Sequence, residues 1–456
     1  MSSINRASLP RGCRLIDFPE KIDRRGVLSF AEGHQHIPFQ IERVFWIYGV
    51  PEGEIRGDHA HNESSEVVVP VSGSFLMVVD DGVRRVEIFM DSPSQGILIP
   101  PGVWCELSSF APGTVCVVLA SHSYNASGYT HNYKQYRESL TTIKRYNPLM
   151  ESEWNEFVRN SKNGTFLLER GYMDYHSDRF TDSSLMFYKQ NRLIALLPAN
   201  WQKEQATVES HGGLTYGGVI LSPNITAVET LQVFIMAIDW MKRELEAHRW
   251  IYKAIPYIYS KFPAEEDLYA LFRCDARIKS RAVSSVVERN RILPMRQIRK
   301  RGVAKANRNR VVVHKGNIES HLDQFWNILT GLLGKKHNTV PTHSVQEMRL
   351  LMSRFPDNIA LYVALKENIV IAGVVVYTTP KVTHAQYIAA SDKGKESGAL
   401  DMLFNFLIES EYSDKLYFDF GVSTEQGGNF LNEGLIFQKE GFGARSVVYD
   451  TYEMLF

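Results

Sequence analysis

The sequence predicts a multidomain protein in which an all-β barrel or jelly roll precedes a larger α/β (α+β) domain made of two similar halves. Up to about residue 140, short apolar or alternating runs follow one another between turn residues, which is typical of antiparallel strands. Beyond residue 148, one order of predicted helices and strands occurs twice, which indicates an internal repeat. The predicted domains are therefore 1–140, 148–300 and 301–456.

The composition is that of an ordinary globular protein. The 456 residues carry 51 basic and 51 acidic side chains, so the strong basic balance typical of nucleic-acid-binding domains is absent. The N-terminal residues lack the apolar core of a signal peptide, and no run approaches the roughly 20 apolar residues of a membrane helix. Cys13, Cys105, Cys116 and Cys274 have no paired spacing, which favours a reducing compartment. We therefore expect a cytoplasmic protein with no membrane or nucleic-acid partner.

The clearest motif lies in residues 53–73. His59 and His61 stand two positions apart on a predicted strand, so both imidazoles project from one face. Glu66 follows after a short turn. Inside a barrel, these three side chains can either hold a metal ion or move protons. The alternative, a surface strand with two solvated histidines, is disfavoured because the apolar run 67–71 marks an interior strand.

A further signal is the set of short motifs between residues 12 and 137: Asp23-Arg24-Arg25-Gly26, Ala31-Glu32-Gly33, Ile37-Pro38-Phe39, Arg43-Val44, Arg56-Gly57-Asp58-His59-Ala60-His61, Gly73-Ser74 and Leu119-Ala120-Ser121. Together they resemble the sugar 3,4-ketoisomerase cupins that act on dTDP-4-keto-6-deoxyglucose. The resemblance implies a cupin fold and a metal-free acid–base tautomerase.

Two catalytic residues follow from this resemblance. We expect His59 to move the carbon proton between C3 and C4, and His61 to move the hydroxyl proton between O3 and O4. An imidazole suits this exchange because it ionises near pH 7. Arg25 is the expected cation near the enediolate or the diphosphate. The expected substrate-binding residues are Arg25, Arg43, Trp46, Tyr48, Arg56, Glu66 and Cys105.

Three positions depart from the family pattern. Trp46 stands where a tyrosine is frequent, so a hydroxyl would have to come from Tyr48. Glu66 replaces a frequent glutamine, and Cys105 ends a stretch that resembles the second cupin motif, where that motif carries a metal-ligand histidine. A metal-dependent cupin and a non-catalytic sugar-binding cupin therefore remain as alternatives, although we expect no metal.

The repeated region has an interpretable element order. In its second copy, two helical patterns (321–333 and 345–355) precede three strand-like runs (359–367, 368–378 and 384–391), followed by helix, strand, helix and strand. Motifs shared with known acyltransferases are residues 173–180, 211–218, 419–421 and 432–435. Both halves resemble the GNAT acyltransferase fold, and the tandem resembles Fem peptidoglycan-bridge transferases and acyltransferases of sugar-biosynthesis clusters.

The resemblance implies an acetyl-CoA site after the fourth strand of the second half. In a GNAT unit, backbone N–H groups at this loop face the pyrophosphate of coenzyme A. The corresponding segment is 391–398, and the expected cofactor-binding residues are Lys393, Gly394, Lys395, Ser397 and Gly398. The alternative is an ordinary helix N-cap.

An N-acyl transfer also needs a base and an oxyanion donor. We favour Asp419, at the end of an apolar strand, as the base, with Glu433, His176 and His211 as other candidates. His176 and Tyr216 are expected substrate-binding residues. Each candidate also has an ordinary structural interpretation, as a cap or a buried polar side chain.

The segment 281–310 is strongly basic. We interpret it as a solvated connector, with a contact to nucleotide phosphates as the functional alternative.

Together, these patterns predict a bifunctional enzyme of nucleotide-sugar biosynthesis for surface polysaccharide such as O-antigen. The cupin would make the 3-keto sugar, a separate pyridoxal-phosphate aminotransferase would install the 3-amine, and the C-terminal unit would acylate the dTDP-3-amino-3,6-dideoxyhexose with acetyl-CoA. We expect a homodimer or a higher homo-oligomer.

Overall fold

The structure is a computed structural model that describes residues 9–10, 12–82, 84–337 and 339–456. The prediction that the N-terminus lacks a signal peptide falls partly on residues 1–8, which are outside the described residues. The chain forms two compact units, Met1–Thr141 and Thr142–Phe456, which meet next to the predicted boundary at residue 140. In the described part of the chain, every helix is too short or too polar to cross a membrane.

The first unit is built of antiparallel strands and one helix, α1 (Tyr133–Ser139). Its described strands are β1 (Arg14–Asp17), β2 (Glu20–Asp23), β3 (Gly26–Ser29), β4 (Arg43–Tyr48), β5 (Arg56–His61), β6 (Glu66–Ser72), β7 (Phe75–Asp80), β8 (Arg85–Met90), β9 (Gln95–Ile99), β10 (Trp104–Ser108), β11 (Val115–Ala120) and β12 (Tyr129–Thr130). They form two five-stranded sheets, in the orders β1-β9-β6-β11-β4 and β12-β5-β10-β7-β8, and a separate β2–β3 hairpin.

Apolar side chains from both five-stranded sheets form the core of this unit. Cys116 and Val118, on alternate positions of β11, are buried in one cluster with Phe75 and Met77 of β7. This spacing of two is the period expected for a strand with one face on a core. The prediction of a sheet-rich antiparallel N-terminal domain is therefore confirmed.

The β2–β3 hairpin differs from the rest of the unit because all its residues are exposed. Ile22, Val27 and Leu28 are apolar side chains with 73%, 60% and 57% exposure. At its turn, Arg25 is paired with Asp23 at 2.5 Å.

In its described residues, the second unit combines helices with three sheets of ten, four and two strands. Its described helices are α2 (Glu151–Asn160), α3 (Arg170–Met173), α4 (Ala227–Glu244), α5 (Glu266–Arg273), α6 (Gln297–Arg308), α7 (Ile318–His337), α8 (Val345–Arg354), α9 (Asp392–Ser397), α10 (Ala399–Phe406) and α11 (Glu433–Glu440). Its described strands are β13 (Thr141–Arg145), β14 (Leu185–Lys189), β15 (Arg192–Leu197), β16 (Asn200–Gln202), β17 (Thr207–Glu209), β18 (Ile220–Leu221), β19 (Arg249–Lys253), β20 (Arg277–Glu288), β21 (Val312–Lys315), β22 (Ile359–Lys366), β23 (Ile369–Thr378), β24 (Val382–Ala390), β25 (Tyr417–Val422), β26 (Thr424–Glu425), β27 (Phe430–Leu431) and β28 (Arg445–Leu455).

Helix α4 shows why the helices begin and pack where they do. Thr226 caps its N-terminus and Glu229 completes the reciprocal capping box. Val233, Phe234 and Ala237 then fall at helical spacing and are buried in a cluster with the strands. The capping box and the apolar spacing thus account for where this helix begins and which face it buries.

The predicted halves share a single ten-stranded sheet, in the order β16-β17-β19-β28-β20-β25-β24-β23-β22-β21. The predicted element order of the second copy, from α7 to β28, is found in the structure. However, β28 pairs with β19 and β20 of the first half, and β20 also pairs with β25 of the second. The halves 148–300 and 301–456 are thus interleaved within one compact unit.

Candidate functional site

The two histidines of the first unit are placed by an irregularity in β5. Opposite β10, His59 pairs with Cys105 while Gly57 pairs with Glu106, so Asp58 is an extra residue. Gly57 has φ +77°, and a Cβ there would lie 2.8 Å from the Cys105 carbonyl oxygen. The backbone of this bulge therefore requires glycine.

His59 and His61 lie in one hydrogen-bonded chain that continues into the interior. His59 Nδ1 donates to the Gly57 carbonyl oxygen at 2.6 Å, and its Nε2 lies 3.1 Å from His61 Nε2. His61 Nε2 also lies 3.1 Å from Glu66 Oε1, and Arg43 Nη2 lies 3.3 Å from the same oxygen.

These contacts define the tautomers of the neutral imidazoles. Because His59 Nδ1 donates to a carbonyl, Nε2 of a neutral His59 is an acceptor. His61 Nε2 faces two acceptors, His59 Nε2 and Glu66 Oε1, so it carries the hydrogen. Burial lowers the pKa of His59, helped by His61 and opposed by the Gly57 carbonyl and Glu66. A neutral His59 therefore has an unprotonated Nε2, which accepts from His61 in this structure and can take up a proton when a substrate replaces that contact.

Tyr129 forms a wall of this site. Its ring lies 5.0 Å from that of His59 and 4.6 Å from that of His61, between ring centroids. Its hydroxyl accepts a hydrogen bond from Arg43 Nη1 at 3.3 Å. His131 stacks on the outer face of Tyr129.

The structure does not bring every predicted substrate residue to the histidines. Trp46 and Tyr48 are 61% and 65% exposed. They lie an odd number of positions from Arg43 on β4 and therefore on the opposite face of the strand. Arg25 lies on the exposed hairpin, and Arg56 is exposed at the start of β5. Of the predicted set, Glu66 contacts His61 directly and Arg43 contacts Glu66.

Cys105 lies beside His59 in the strand register but belongs to the apolar core. Burial raises its pKa far above the usual value, so the thiol stays protonated. A metal-binding cysteine must be a thiolate. Among the residues that the structure describes, no three His, Cys, Asp or Glu side chains are placed to hold one metal ion.

The second candidate site lies where two parallel strands of the large sheet diverge. β24 and β25 are paired only at Val382↔Tyr417, Thr383↔Phe418 and His384↔Asp419. Beyond this point a cavity of about 620 Å³ opens between their carboxyl-terminal ends. Its size falls within the usual range for small-molecule sites.

The walls of this cavity are mainly apolar, with a few polar groups. The apolar residues include Ile388, Leu400, Phe404, Phe420 and Phe442, and the polar ones are Thr215, His384, Gln386, Lys395, Gln438, Lys439 and Tyr449. Gln386 has no partner in the ladder with β23 because Tyr387 pairs with Val375 and Ala385 with Val376. Such a bulge frees backbone groups at the edge of the cavity.

Asp419 is completely buried at the base of this cavity. It accepts hydrogen bonds from Tyr449 at 2.6 Å, from Tyr259 at 3.2 Å and from the Gly421 N–H at 2.9 Å, as well as from Ser284. His384 Nδ1 lies 2.8 Å from its Oδ2.

The charge state of Asp419 follows from these partners. Burial opposes its ionisation, but His384, Ser284 and Tyr449 outweigh burial and lower the pKa of Asp419 to about 2. Its oxygens are enclosed, so a substrate cannot reach them without displacing these partners. Two of the side chains that contact Asp419, His384 and Tyr449, also line the cavity.

Lys439 is a second buried charge beside this site. Its Nζ donates to the carbonyl oxygens of Gly421 and Val422, both at 2.8 Å, and to Ser423 Oγ at 3.0 Å. Burial lowers its pKa to about 8. All three donor positions of an ammonium group are thus used to fix the end of β25.

The predicted coenzyme A segment, 391–398, forms one short helix, α9, with Gly398 at its C-terminal end. Ser391 caps α9, and Lys395 pairs with Asp392 at 2.9 Å while also lining the cavity. A Cβ at Gly394 would lie 2.2 Å from the Ile371 carbonyl oxygen, and one at Gly398 would lie 2.5 Å from that of Gly302. These glycines permit close protein packing and do not form an open phosphate cradle. Lys393 is exposed and Ser397 is buried.

The glycine contact shows where the basic segment lies. Gly302 belongs to α6, which packs on α10, and Arg299 of α6 is paired with Asp401 of α10 at 2.6 Å. Arg296 similarly pairs with Glu440. Part of the basic segment therefore stabilises the fold.

The remaining predicted residues of the second unit are dispersed. His176 is buried and stacks with Tyr175 and His211. Tyr216 is also buried and lines a small second cavity together with His384. Glu433 is exposed at the first turn of α11.

Comparison with known proteins identifies the first unit. Residues 11–141 match the family described as FdtA: WxcM-like, C-terminal. TDP-4-oxo-6-deoxy-alpha-D-glucose-3,4-oxoisomerase from Aneurinibacillus thermoaerophilus is 37% identical over 130 residues, which are 28% of this chain and 94% of that protein. The chain belongs to the FdtA, WxcM-like family.

Two solved structures relate to different parts of the chain. QdtA, a sugar 3,4-ketoisomerase from Thermoanaerobacterium thermosaccharolyticum in complex with TDP, is 34% identical, covers 28% of this chain and 95% of its own, and has a TM-score of 0.28. FemX is 10% identical, covers 69% of this chain and 97% of its own, and has a TM-score of 0.50. The FemX likeness is one of fold, and the GNAT arrangement of the halves stays a prediction.

Sequence reasoning missed two contributors to these sites. Tyr129 of the FdtA-like domain lies in a polar, aromatic stretch whose only signal was the resemblance of residues 129 and 133. His384 opens a strand-like run and has no motif around it. The pairing of His384 with Asp419 connects two parallel strands, so no local spacing indicates it.

Proposed function

We propose that the FdtA-like domain is a 3,4-ketoisomerase of a TDP-4-keto-6-deoxyhexose, most simply TDP-4-keto-6-deoxyglucose. The support is the 37% identical oxoisomerase together with one structural observation. This observation is the hydrogen-bonded chain in which the unprotonated Nε2 of half-buried His59 contacts His61 Nε2, and buried His61 links it to Glu66.

The reaction follows from the acidity of the sugar. The C3 proton is acidic because its loss gives an enolate in which C3 and C4 are joined by a double bond and the negative charge is delocalised onto O4. His59 takes this proton at Nε2 and returns it to C4, while His61 moves the hydroxyl hydrogen from O3 to O4. The product has a C3 ketone and a C4 hydroxyl, with no atom gained or lost. Arg43 and Glu66 hold His61 in place.

The test is proton NMR of TDP-4-keto-6-deoxyglucose with the full chain in heavy water. We expect exchange at C3 with formation of the 3-keto isomer, and loss of both in the variant His59→Gln. His122→Gln, at an exposed histidine of the same domain, is the matched control. Absence of exchange with the unmodified chain would favour a non-catalytic sugar-binding domain, and turnover abolished by a chelator would favour a metal-dependent enzyme.

We further propose that the second unit transfers an acyl group from acetyl-CoA to the amine of a dTDP-3-amino-3,6-dideoxyhexose. The support is the cavity between the diverging strands β24 and β25, with His384 at its base and a ladder bulge at Gln386. The segment 391–398 is not part of this support because its glycines contact protein backbone.

This second activity is tested by thiol release from acetyl-CoA in the presence of the 3-amino sugar. Amine-dependent release of free thiol, with an N-acetyl sugar detected by mass spectrometry, is the expected result. Release that does not depend on the amine, or no release, would contradict the proposal. The two activities on related sugars would then be linked by a pyridoxal-phosphate aminotransferase acting between them.

We also propose that the chain forms a homodimer or a higher homo-oligomer. The β2–β3 hairpin supports this because Ile22, Val27 and Leu28 are exposed on an isolated two-stranded sheet. Such a sheet is marginally stable by itself. Light scattering that gives the mass of a single chain would contradict it.

A further inference from the structure

The strongest unassigned feature is the buried pair of His384 and Asp419. A buried carboxylate is costly unless it is paired and hydrogen-bonded. Asp419 is 0% exposed and is surrounded by donors from several strands, among them Ser284 and Tyr449. This arrangement fixes a negative charge directly behind one imidazole.

The other side of His384 faces open space. Its Nδ1 lies 2.8 Å from Asp419 Oδ2, and it lines both the large cavity and the small one beside Tyr216. In the described part of the chain its Nε2 has no hydrogen-bond partner. A Cβ at Gly421 would lie 3.4 Å from His384 Cε1 and 4.0 Å from its Nε2, so the glycine borders the imidazole without crowding it.

The geometry therefore selects one tautomer. The Asp419 carboxylate can only accept a hydrogen bond, so Nδ1 of a neutral His384 carries the hydrogen and donates it to Asp419. The lone pair of the imidazole is then on Nε2. An imidazole whose orientation is fixed by a buried carboxylate, with a free nitrogen in a cavity, has the arrangement of a general base.

We propose that His384 is the general base of the second unit, acting on a primary amine, and that Asp419 is its positioning residue. This inference rests on the acyl transfer proposed above and specifies its catalytic residue. It replaces our sequence-based prediction that Asp419 itself is the base.

The proposed step is attack of the amine on the thioester, with no atom gained or lost. The amine nitrogen attacks the thioester carbonyl carbon, a C–N bond forms, and the C–S bond breaks. His384 Nε2 takes the proton lost by the nitrogen and gives it to the departing thiolate, so the base is regenerated. Backbone groups that leave the ladder at the Gln386 bulge border the cavity and are available to stabilise the oxygen that becomes negative in the tetrahedral intermediate.

The neighbouring charged groups are not suited to this role. Asp419 is enclosed by its donors, and Lys439 uses its three ammonium hydrogens on Gly421, Val422 and Ser423. Lys395, which also lines the cavity, is paired with Asp392. Among these groups, His384 alone combines a free acceptor atom with access to the cavity.

The first test uses His384→Asn, which retains a donor toward Asp419 but removes the base. We expect kcat for amine-dependent thiol release to fall by about 10²–10⁴-fold, the usual contribution of general base catalysis, with little change in KM. Added imidazole should restore part of the activity of His384→Ala. His248→Gln, at an exposed histidine of the same unit, is the matched control and should retain full activity.

Asp419→Asn tests positioning. The amide N–H₂ that this substitution introduces can donate to His384 Nδ1, which favours the tautomer with the hydrogen on Nε2, so kcat should fall while KM changes little. Added imidazole should rescue the double variant His384→Ala/Asp419→Asn as well as it rescues His384→Ala. A purely structural role of Asp419 would instead lower the melting temperature and raise KM together.

The outcomes separate the two proposals. If the unmodified chain releases no thiol, the acyl transfer itself is wrong. If it does and His384→Asn keeps its kcat within threefold, the inference about His384 is overturned. Should the variants fail to fold, ¹⁵N NMR of the histidines in the unmodified chain tests the inference. We expect neutral His384 to carry its hydrogen on Nδ1, and a hydrogen on Nε2 instead would contradict the inference.

Discussion

At the scale of single residues, the FdtA-like domain answers the question raised by Trp46. The tyrosine hydroxyl that this position lacks has a counterpart in Tyr129, whose oxygen lies 3.3 Å from Arg43 Nη1 and whose ring touches both histidines. Trp46 itself is exposed, on the face of β4 opposite to Arg43. The tyrosine hydroxyl that contacts Arg43 beside the two histidines therefore comes from Tyr129 on β12.

Replacing Tyr129 by Phe tests this conclusion. The variant keeps the ring but loses the hydroxyl that accepts from Arg43, and we expect kcat/KM for isomerisation to fall about tenfold, equivalent to ~1.4 kcal/mol. Trp46→Phe is the control and should change it less than twofold. Equal effects of the two substitutions would contradict the role given to Tyr129.

His343 makes the second unit sensitive to acid. Its side chain is 5% exposed, and burial lowers its pKa to about 4 against the influence of Glu347, with His176 and Arg179 adding to the shift. The unfolded chain binds a proton at His343 below about pH 6.5, whereas the folded chain does so only below about 4. Stability is therefore fully present above the higher value and is lost as the pH falls toward the lower one.

We expect this residue to contribute about 3 kcal/mol to the fall in unfolding free energy between pH 7 and pH 4. Urea unfolding of the second unit at the two pH values measures it. In His343→Gln, which cannot take up the proton, the fall should be smaller by that amount, while His248→Gln should behave as the unmodified chain. An unchanged fall in His343→Gln would contradict the assignment.

The active histidines illustrate how far sequence reasoning reaches at this scale. His59 and His61 are two apart on one strand, so their shared face follows directly from strand geometry. The contact of Glu66 with Arg43 connects β6 and β4 across β11, and the pair of His384 and Asp419 connects β24 and β25. These contacts depend on which strands become neighbours, which no local pattern specifies.

At the scale of elements, helix α6 determines what the predicted coenzyme A segment can do. The sequence indicated a basic connector followed elsewhere by a glycine-rich phosphate loop. In the structure, α6 packs against the start of α10 with the Gly302 backbone next to Gly398. Gly394 and Gly398 are sites of close approach, and the group that approaches each of them is protein backbone.

Gly398→Ala measures this packing. Gly398 has φ +79°, and the added Cβ would meet the Gly302 carbonyl oxygen at 2.5 Å, so both backbone strain and a clash oppose the change. We expect the unfolding free energy of the second unit to fall by about 2–4 kcal/mol. Gly331→Ala in α7 is the control, since a Cβ there has no neighbour within 4 Å and alanine favours helix. A similar result for both glycines would contradict the packing.

At the scale of the whole molecule, the chain combines two units with separate histidine sites. We expect His59→Ala and His61→Ala to abolish isomerisation and to leave amine-dependent thiol release within twofold. His384→Asn should have the opposite pattern. Assaying both reactions on the same preparations tests this, and loss of both activities in either variant would contradict independent active sites.

The domain boundary near residue 140 could be predicted because turn-separated strands give way to a polar aromatic stretch there. The interleaving of the later halves could not. Each half has a plausible set of elements on its own, and the insertion of β20 beside β25 and β28 depends on pairing between residues far apart in sequence. Local periodicity contains no information about such partners.

This interleaving has a consequence for synthesis on the ribosome. The strands of the FdtA-like domain pair within Met1–Thr141, so this domain can fold while the rest is still being translated. β19 and β20 instead wait for β28, in which Met454 pairs with Trp250. Until then their edges are open to other chains, which makes nascent second units a target for chaperones. A chain that terminated before residue 445 would carry a folded FdtA-like domain attached to a second unit unable to close its sheet.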